Sequence, residues 1–261
     1  MANILTFDPN LYFTFFLVLL RVSGIFLTAP IISADTIPPS VRIYLALICA
    51  LIIFHVVPQN LALDRLNTAD YLLLVIRELM IGLLLGVVPK IMFASIDFAG
   101  TVIGFQMGFS IANVVDPQTE VQVSIIAAFE GVLATLLFVV LDGHHIFFEV
   151  LALSYQKVAL GGFVFSPNKI DFLSRLMADL FIIGLQLGAP LIVALLFANV
   201  ILGFMARSIP QMNIFVVGFP FTIGLGLILL WFGMPYTVRA MVQLFGTTGP
   251  KILDFLALMA R

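Results

Sequence analysis

The stretch YLLLVIRELMIGLLLGVVPKIMFASIDF, Tyr71 to Phe98, decides how the chain has to be read. It is apolar over more than the ~20 residues that carry a helix across a bilayer. It also holds Arg77, Glu78, Lys90 and Asp97, a glycine pair four residues apart at Gly82 and Gly86, and Pro89. Backbone polar groups in an apolar environment must pair within their own segment, so helix is the expected state. A charge near the bilayer centre costs roughly 2.5 to 3.5 kcal/mol. Several in one run call for pairing, a wet cavity or neighbouring protein. Arg77 and Glu78 are adjacent, so they point to different faces of a helix and need different partners.

The same pattern recurs outward in both directions. Leu11 to Ile32, Val41 to Val57, Val123 to Leu141, Leu176 to Phe204 and Met212 to Pro235 are further apolar runs. Ala99 to Val115 and His145 to Leu160 are weaker and read as extra helices or re-entrant pieces. Arg21, Glu130 and Asp179 again place ions inside apolar helices, and Arg207 closes one of them. Such ions serve either as pairs within a helix bundle or as pins that hold neighbouring subunits in register. Charged residues make up 10% of the chain and apolar ones 62%, against about 25% charged in soluble domains. The expected fold is all-α and membrane-class, one unit over residues 1–261, built of helical hairpins with kinked helices. Pro89, Pro190 and Pro220 are expected to kink or break their helices. Gly100, Gly104 and Gly108 repeat the Gly82–Gly86 spacing twice, and Gly184 with Gly188 once more, a spacing that lets helix backbones approach closely. Ile37-Pro38-Pro39 marks a break, and Asn67-Thr68 and Ser166-Pro167-Asn168 mark helix starts. Six spans would put Arg65, Lys157, Lys169, Arg175, Arg239, Lys251 and Arg261 on one side and Arg42 and Arg207 on the other. The positive-inside rule then places the first group and both termini in the cytoplasm.

Other classes find little support. A net charge of -2 with no run of like charge argues against a nucleic-acid partner. Cys49 is the single cysteine, so no intrachain disulfide forms. Asp8 is the only charge before the first apolar run, which lacks a basic leader and is expected to be retained. His144-His145 follow Asp142-Gly143 without an HExxH pattern. Adjacent histidines on a helix diverge, so a polar cap is expected there and no metal. No nucleophile elbow or phosphate-cradling loop is present. Neither an enzyme nor a cofactor is expected, and an intramembrane enzyme using Asp142, His144 and His145 stands as a remote alternative.

Phe105-Gln106-Met107-Gly108-Phe109-Ser110-Ile111-Ala112-Asn113-Val114-Val115-Asp116-Pro117 is neither a good helix nor a polar loop. Non-helical backbone at this depth must be buried in protein or line a cavity. On the residues alone a short buried helix with a turn is favoured over a deformable plug of Met, Phe, Ile and Val side chains.

Several separated motifs carry a family resemblance: Leu20-Arg21, Thr28-Ala29-Pro30-Ile31, Ile37-Pro38 with Val41-Arg42, Gly82 and Gly86, Gly104-Phe105-Gln106-Met107-Gly108, Asp116-Pro117 and Gly143-His144. The most specific block is Asn199, Leu202-Gly203, Arg207, Pro210-Gln211-Met212-Asn213-Ile214-Phe215 and Gly218-Phe219-Pro220. In this order the chain resembles the FliR/SctT family, the R subunits of type III secretion export gates, and Gly218-Phe219-Pro220 looks flagellar. The resemblance implies a P-like part, about residues 1–175, fused to a Q-like part, about 176–261. It implies one copy closing a helical ring of P and Q subunits within the flagellar basal body of the bacterial inner membrane. An FlhB-type switch subunit and unfolded export substrates are the other implied partners, and a homo-oligomer is not. The family's plug matches Met107 to Val123, with Ile111 and Val114 at apolar plug positions, and this favours the plug over the buried turn. The alternatives are an injectisome gate subunit and, from the broken helices and intramembrane ions, a secondary transporter.

Overall fold

The computed structural model describes residues 9–34, 36–57, 67–109, 124–164, 166–209 and 213–260, without the side chains of Ile214 and Phe215. Among the described residues there are seven helices and no strand. They are α1 (Pro9–Thr28), α2 (Pro39–Phe54), α3 (Thr68–Met107), α4 (Ile125–Val140), α5 (His145–Lys157), α6 (Pro167–Ser208) and α7 (Ile214–Met259). By length and composition α1, α3, α6 and most of α7 can each cross a membrane, and α4 with α5 form one broken candidate span. The chain is therefore an all-α protein of the multi-pass membrane type.

Local chemistry sets the helix ends. Pro38 is extended at φ −55°, ψ 140°, and Pro39 opens α2 with its φ already suited to a helix. The Asn67 N–H donates to Asp70 Oδ2 at 3.0 Å, half of a capping box at the start of α3. The Ser166 carbonyl accepts from the Lys169 N–H ahead of α6, and Ser124 Oγ caps α4 by accepting from the Ala127 N–H. α1 stops at Thr28 rather than Ile32. Pro30 has no N–H to continue it, and Ile31 turns the chain at φ 72°.

Two expectations need correction, and the prolines narrow a third. Pro89 and Pro190 lie inside α3 and α6, and Pro220 inside α7, so none of the three breaks its helix. One lost backbone bond of ~3 kcal/mol does not break a helix that keeps the packing of 40 or more residues. The last apolar segment does not stop at Pro235, because α7 continues to Met259. Hence Lys157, Lys169, Arg175, Arg239 and Lys251 are helix residues rather than loop charges. Arg65 and Arg261 lie outside the described residues, so the loop-charge count no longer orients the chain.

The internal contacts define two compact units with interleaved segments. One comprises residues 1–90, 142–174 and 248–261, the other 91–141 and 175–247. In the first, α1 packs on α2 and α5, and Leu17, Val18, Val22, Ile81, Leu85, Leu151 and Phe255 are buried. In the second, Phe93, Phe138 and Phe245 form an aromatic cluster with centroids 5.2–5.3 Å apart. A second cluster there, Ile103, Met107, Ile126, Leu191, Leu195 and Leu230, is also buried.

Candidate functional site

Within the second unit, the end of α3 is fixed to α7. Met107 is fully buried, and its carbonyl accepts a 2.9 Å bond from the Thr222 hydroxyl. Gly226 lies directly under the Met107 side chain, where a Cβ would meet its Cε at 2.5 Å. Gly218, Thr222 and Gly226 are spaced by four residues, so they share one face of α7 and open a groove for the Met107 side chain. Gly108 leaves the helix at φ +94°, and a Cβ there would meet Phe219 Cδ1 at 2.7 Å. Both facts demand glycine at this point. Phe109 packs on the Met107 cluster, and its N–H donates to the Gly104 carbonyl at 3.2 Å.

The chain resumes at Ser124 beside the place it left. Gly104 leaves no room for a Cβ against Ser124 Oγ, and that hydroxyl donates to the Gly100 carbonyl at 3.3 Å. Asn199 Nδ2 adds a 3.2 Å bond to the Gln106 carbonyl from α6. Residues 107–109 and Ser124, which flank positions 110–123, therefore belong to one packed stem. Ile111, Val114, Val115, Asp116 and Pro117 fall outside the described residues, as do Pro210 and Gln211. Asn213 starts α7 by accepting from the Val216 and Val217 N–H groups. Phe215 is in α7, Gly218 is buried and Pro220 exposed.

The first unit holds a buried ion pair. Arg21 and Glu78 are both fully buried, with Nε donating to Oε2 at 2.7 Å and Nη2 to Oε1 at 3.0 Å. Arg21 Nη1 donates to Ser154 Oγ and the Val158 carbonyl, each at 3.2 Å. Its guanidinium lies 4.2 Å from the Tyr155 ring centroid. Glu78 Oε1 also accepts the Gly161 N–H at 2.7 Å, and Arg77 donates to the Gly161 carbonyl at 3.0 Å. The adjacent ions Arg77 and Glu78 thus hold the carbonyl and the N–H of one residue, in the two peptide groups that flank its Cα. Gly161 can take this place because its φ is +71°. The sequence held no sign of Tyr155 or Ser154 as partners, whereas Gly161-Gly162 is a readable turn signal. Lys169 is likewise buried, and its ammonium donates to the carbonyls of Val164 and of Met259, at the end of α7.

The remaining singled-out residues separate by environment. Gly82 packs against the Arg21 carbonyl and Gly24, and Gly86 against Thr28 and Ile25. Gly100 faces Ala127, Gly184 faces Ser95 and Phe98, and Gly188 faces Ile192 and Ile103. Glu130 is buried, and its Oε2 has no hydrogen-bond partner. Lys90, Asp97 and Arg207 are exposed.

The corner before α5 departs from expectation. His144 and His145 do not diverge: their ring centroids are 4.3 Å apart. His144 precedes the helix instead of lying within it, and its side chain makes no capping bond.

The family described as bacterial export proteins, family 1, matches residues 12–248. The flagellar biosynthetic protein FliR of Bacillus subtilis (strain 168) is 34% identical, over 96% of this chain and 97% of its own length. The protein of the same name from Escherichia coli (strain K12) is 34% identical over 95% of this chain and 93% of its own. That from Caulobacter vibrioides is 31% identical over 82% and 85%. The match runs across α1 to α7, from the buried ion pair to the stem, and on it the chain belongs to the bacterial export proteins, family 1.

Proposed function

We propose that this chain is the R-type subunit of the flagellar type III protein export gate and that its 110–123 segment plugs the channel. It works by gating, without chemistry. Apolar side chains at Ile111 and Val114 fill the channel, exclude ions and water, and are displaced by an arriving unfolded substrate. The observation that carries this reading is the stem. A segment that must part and reseal needs ends that do not move, and Met107, Gly108, Phe109 and Ser124 are all held within one packed unit. That these relatives are flagellar biosynthetic proteins favours the flagellar gate over the injectisome one.

Helix length supports a place in an assembly. At 1.5 Å per residue, α3, α6 and α7 run about 60 to 70 Å, twice the ~30 Å hydrocarbon layer. Helices of that length extend beyond lipid and need protein around them. In this reading P and Q subunits surround the chain, an FlhB-type subunit adjoins it, and exposed Lys90, Asp97 and Arg207 meet those neighbours.

The test uses bacteria whose own gene is replaced by one encoding Ile111→Gly with Val114→Gly. Cells with the assembled complex are expected to leak ions and small molecules while the closed wild-type gate does not. Unchanged permeability with normal complex assembly would remove the plug from this account.

A further inference from the structure

The corner that opens α5 brings three ligand-type side chains together. Asp142 takes the left-handed conformation at φ +56°, which aspartate tolerates better than most residues. Its carbonyl accepts the His145 N–H at 2.9 Å and closes the turn over Gly143. One ligand atom each of Asp142, His144 and His145 then lie within 4.8 Å of one another, with His145 Nδ1 3.9 Å from Asp142 Oδ1. His144 Nδ1 is buried and has no hydrogen-bond partner. The side chains of Asp142 and His145 are 72% and 69% exposed, so an ion can reach them from outside.

We propose that Asp142, His144 and His145 bind a divalent transition-metal ion. Two imidazoles and one carboxylate form a borderline donor set that suits Zn²⁺ or Co²⁺, whereas Mg²⁺ and Ca²⁺ prefer oxygen alone. Bonds of about 2.0–2.2 Å in a tetrahedral site put neighbouring donor atoms roughly 3.3 Å apart. Binding requires the exposed side chains of Asp142 and His145 to rotate and close the present spacing to that value. Three protein ligands leave a fourth position open to water or to a donor from a neighbouring chain. The bound ion ties the turn to the first residue of α5 and so fixes where that helix starts.

The test is Co²⁺ titration of the full chain, purified in detergent without a polyhistidine tag and followed by visible d–d absorption, with Zn²⁺ competition. One saturable site is expected. His144→Ala and His145→Ala should each weaken binding by at least about tenfold, equivalent to ~1.4 kcal/mol. Asp142→Gly should do the same while keeping the left-handed backbone, so a loss there is not a folding defect. His55→Ala, which alters the remaining histidine, should leave the titration unchanged. Equal Co²⁺ binding by wild type and the His144→Ala/His145→Ala double variant would overturn the proposal, as would no saturable binding by the wild type.

Discussion

The Arg21–Glu78 pair shows what one residue decides. Both ions have left solvent, and a buried pair by itself is weak evidence for stability because desolvation offsets its attraction. What distinguishes this pair is its complete set of partners: Glu78, Ser154, Val158 and the Tyr155 ring around Arg21, and the Gly161 amide on Glu78. Glu78→Ala leaves the guanidinium buried without a counter-charge, and a loss of about 3 to 5 kcal/mol is expected. Arg21→Met with Glu78→Leu removes both charges and fills the space, so most of that loss should return. Denaturant unfolding of the detergent-solubilised chain measures both. Equal damage from the single and double changes would mean that the pair matters for something other than its charge. The sequence made both residues visible as ions in apolar runs. It could not pair them, because they are 57 positions apart and half of their partners are backbone groups of a turn.

Helix-on-helix contact in this chain rests on where backbone meets backbone. In the first unit, a Cβ at Gly82 would overlap the Arg21 carbonyl and lie 2.9 Å from Gly24 Cα. Neither neighbour is a flexible side chain, so Gly82→Ala must push α1 and α3 apart and disturb the ion pair on the same faces. Gly131, in α4, has nothing within 4 Å of a Cβ. Gly131→Ala should therefore be neutral or gain up to ~1 kcal/mol from helix propensity. Thermal unfolding of the two variants should separate them by several degrees, and identical midpoints would mean that the α1–α3 approach is looser than described. Glycine spacing was legible at this scale because small residues at i and i+4 have one steric meaning. Helix extent was less so: Pro235 reads as a terminator, yet α7 runs on, and Tyr236 just beyond it donates to the Gln186 carbonyl at 3.1 Å. The expected divergence of His144 and His145 fails for a related reason. The divergence rule for adjacent histidines holds inside a helix, and His144 lies just outside one.

At the scale of the whole molecule, the apolar surface left uncovered is the main fact. Only 17% of the most apolar window of α7 is buried, against 44% for α1. Trp231 and Phe232 are 78% and 77% exposed, and Val216, Phe221, Leu227 and Ile228 are exposed on the same helix. Apolar area on this scale must meet lipid or protein. A helix of 46 residues, about 69 Å long, cannot meet lipid along its full length. A photo-crosslinking amino acid placed at Trp231, and separately at Phe232, decides between them inside intact bacteria. If the chain works within a ring of P and Q subunits, both positions should give discrete products at the mass of this chain plus one small helical partner. Extraction in mild detergent followed by native mass spectrometry should then find one copy of this chain with several copies of two smaller ones. Crosslinks only to lipid at both positions, together with a chain that leaves the membrane without companions, would mean that the exposed face of α7 is a lipid face and that the ion-bearing helices are self-sufficient.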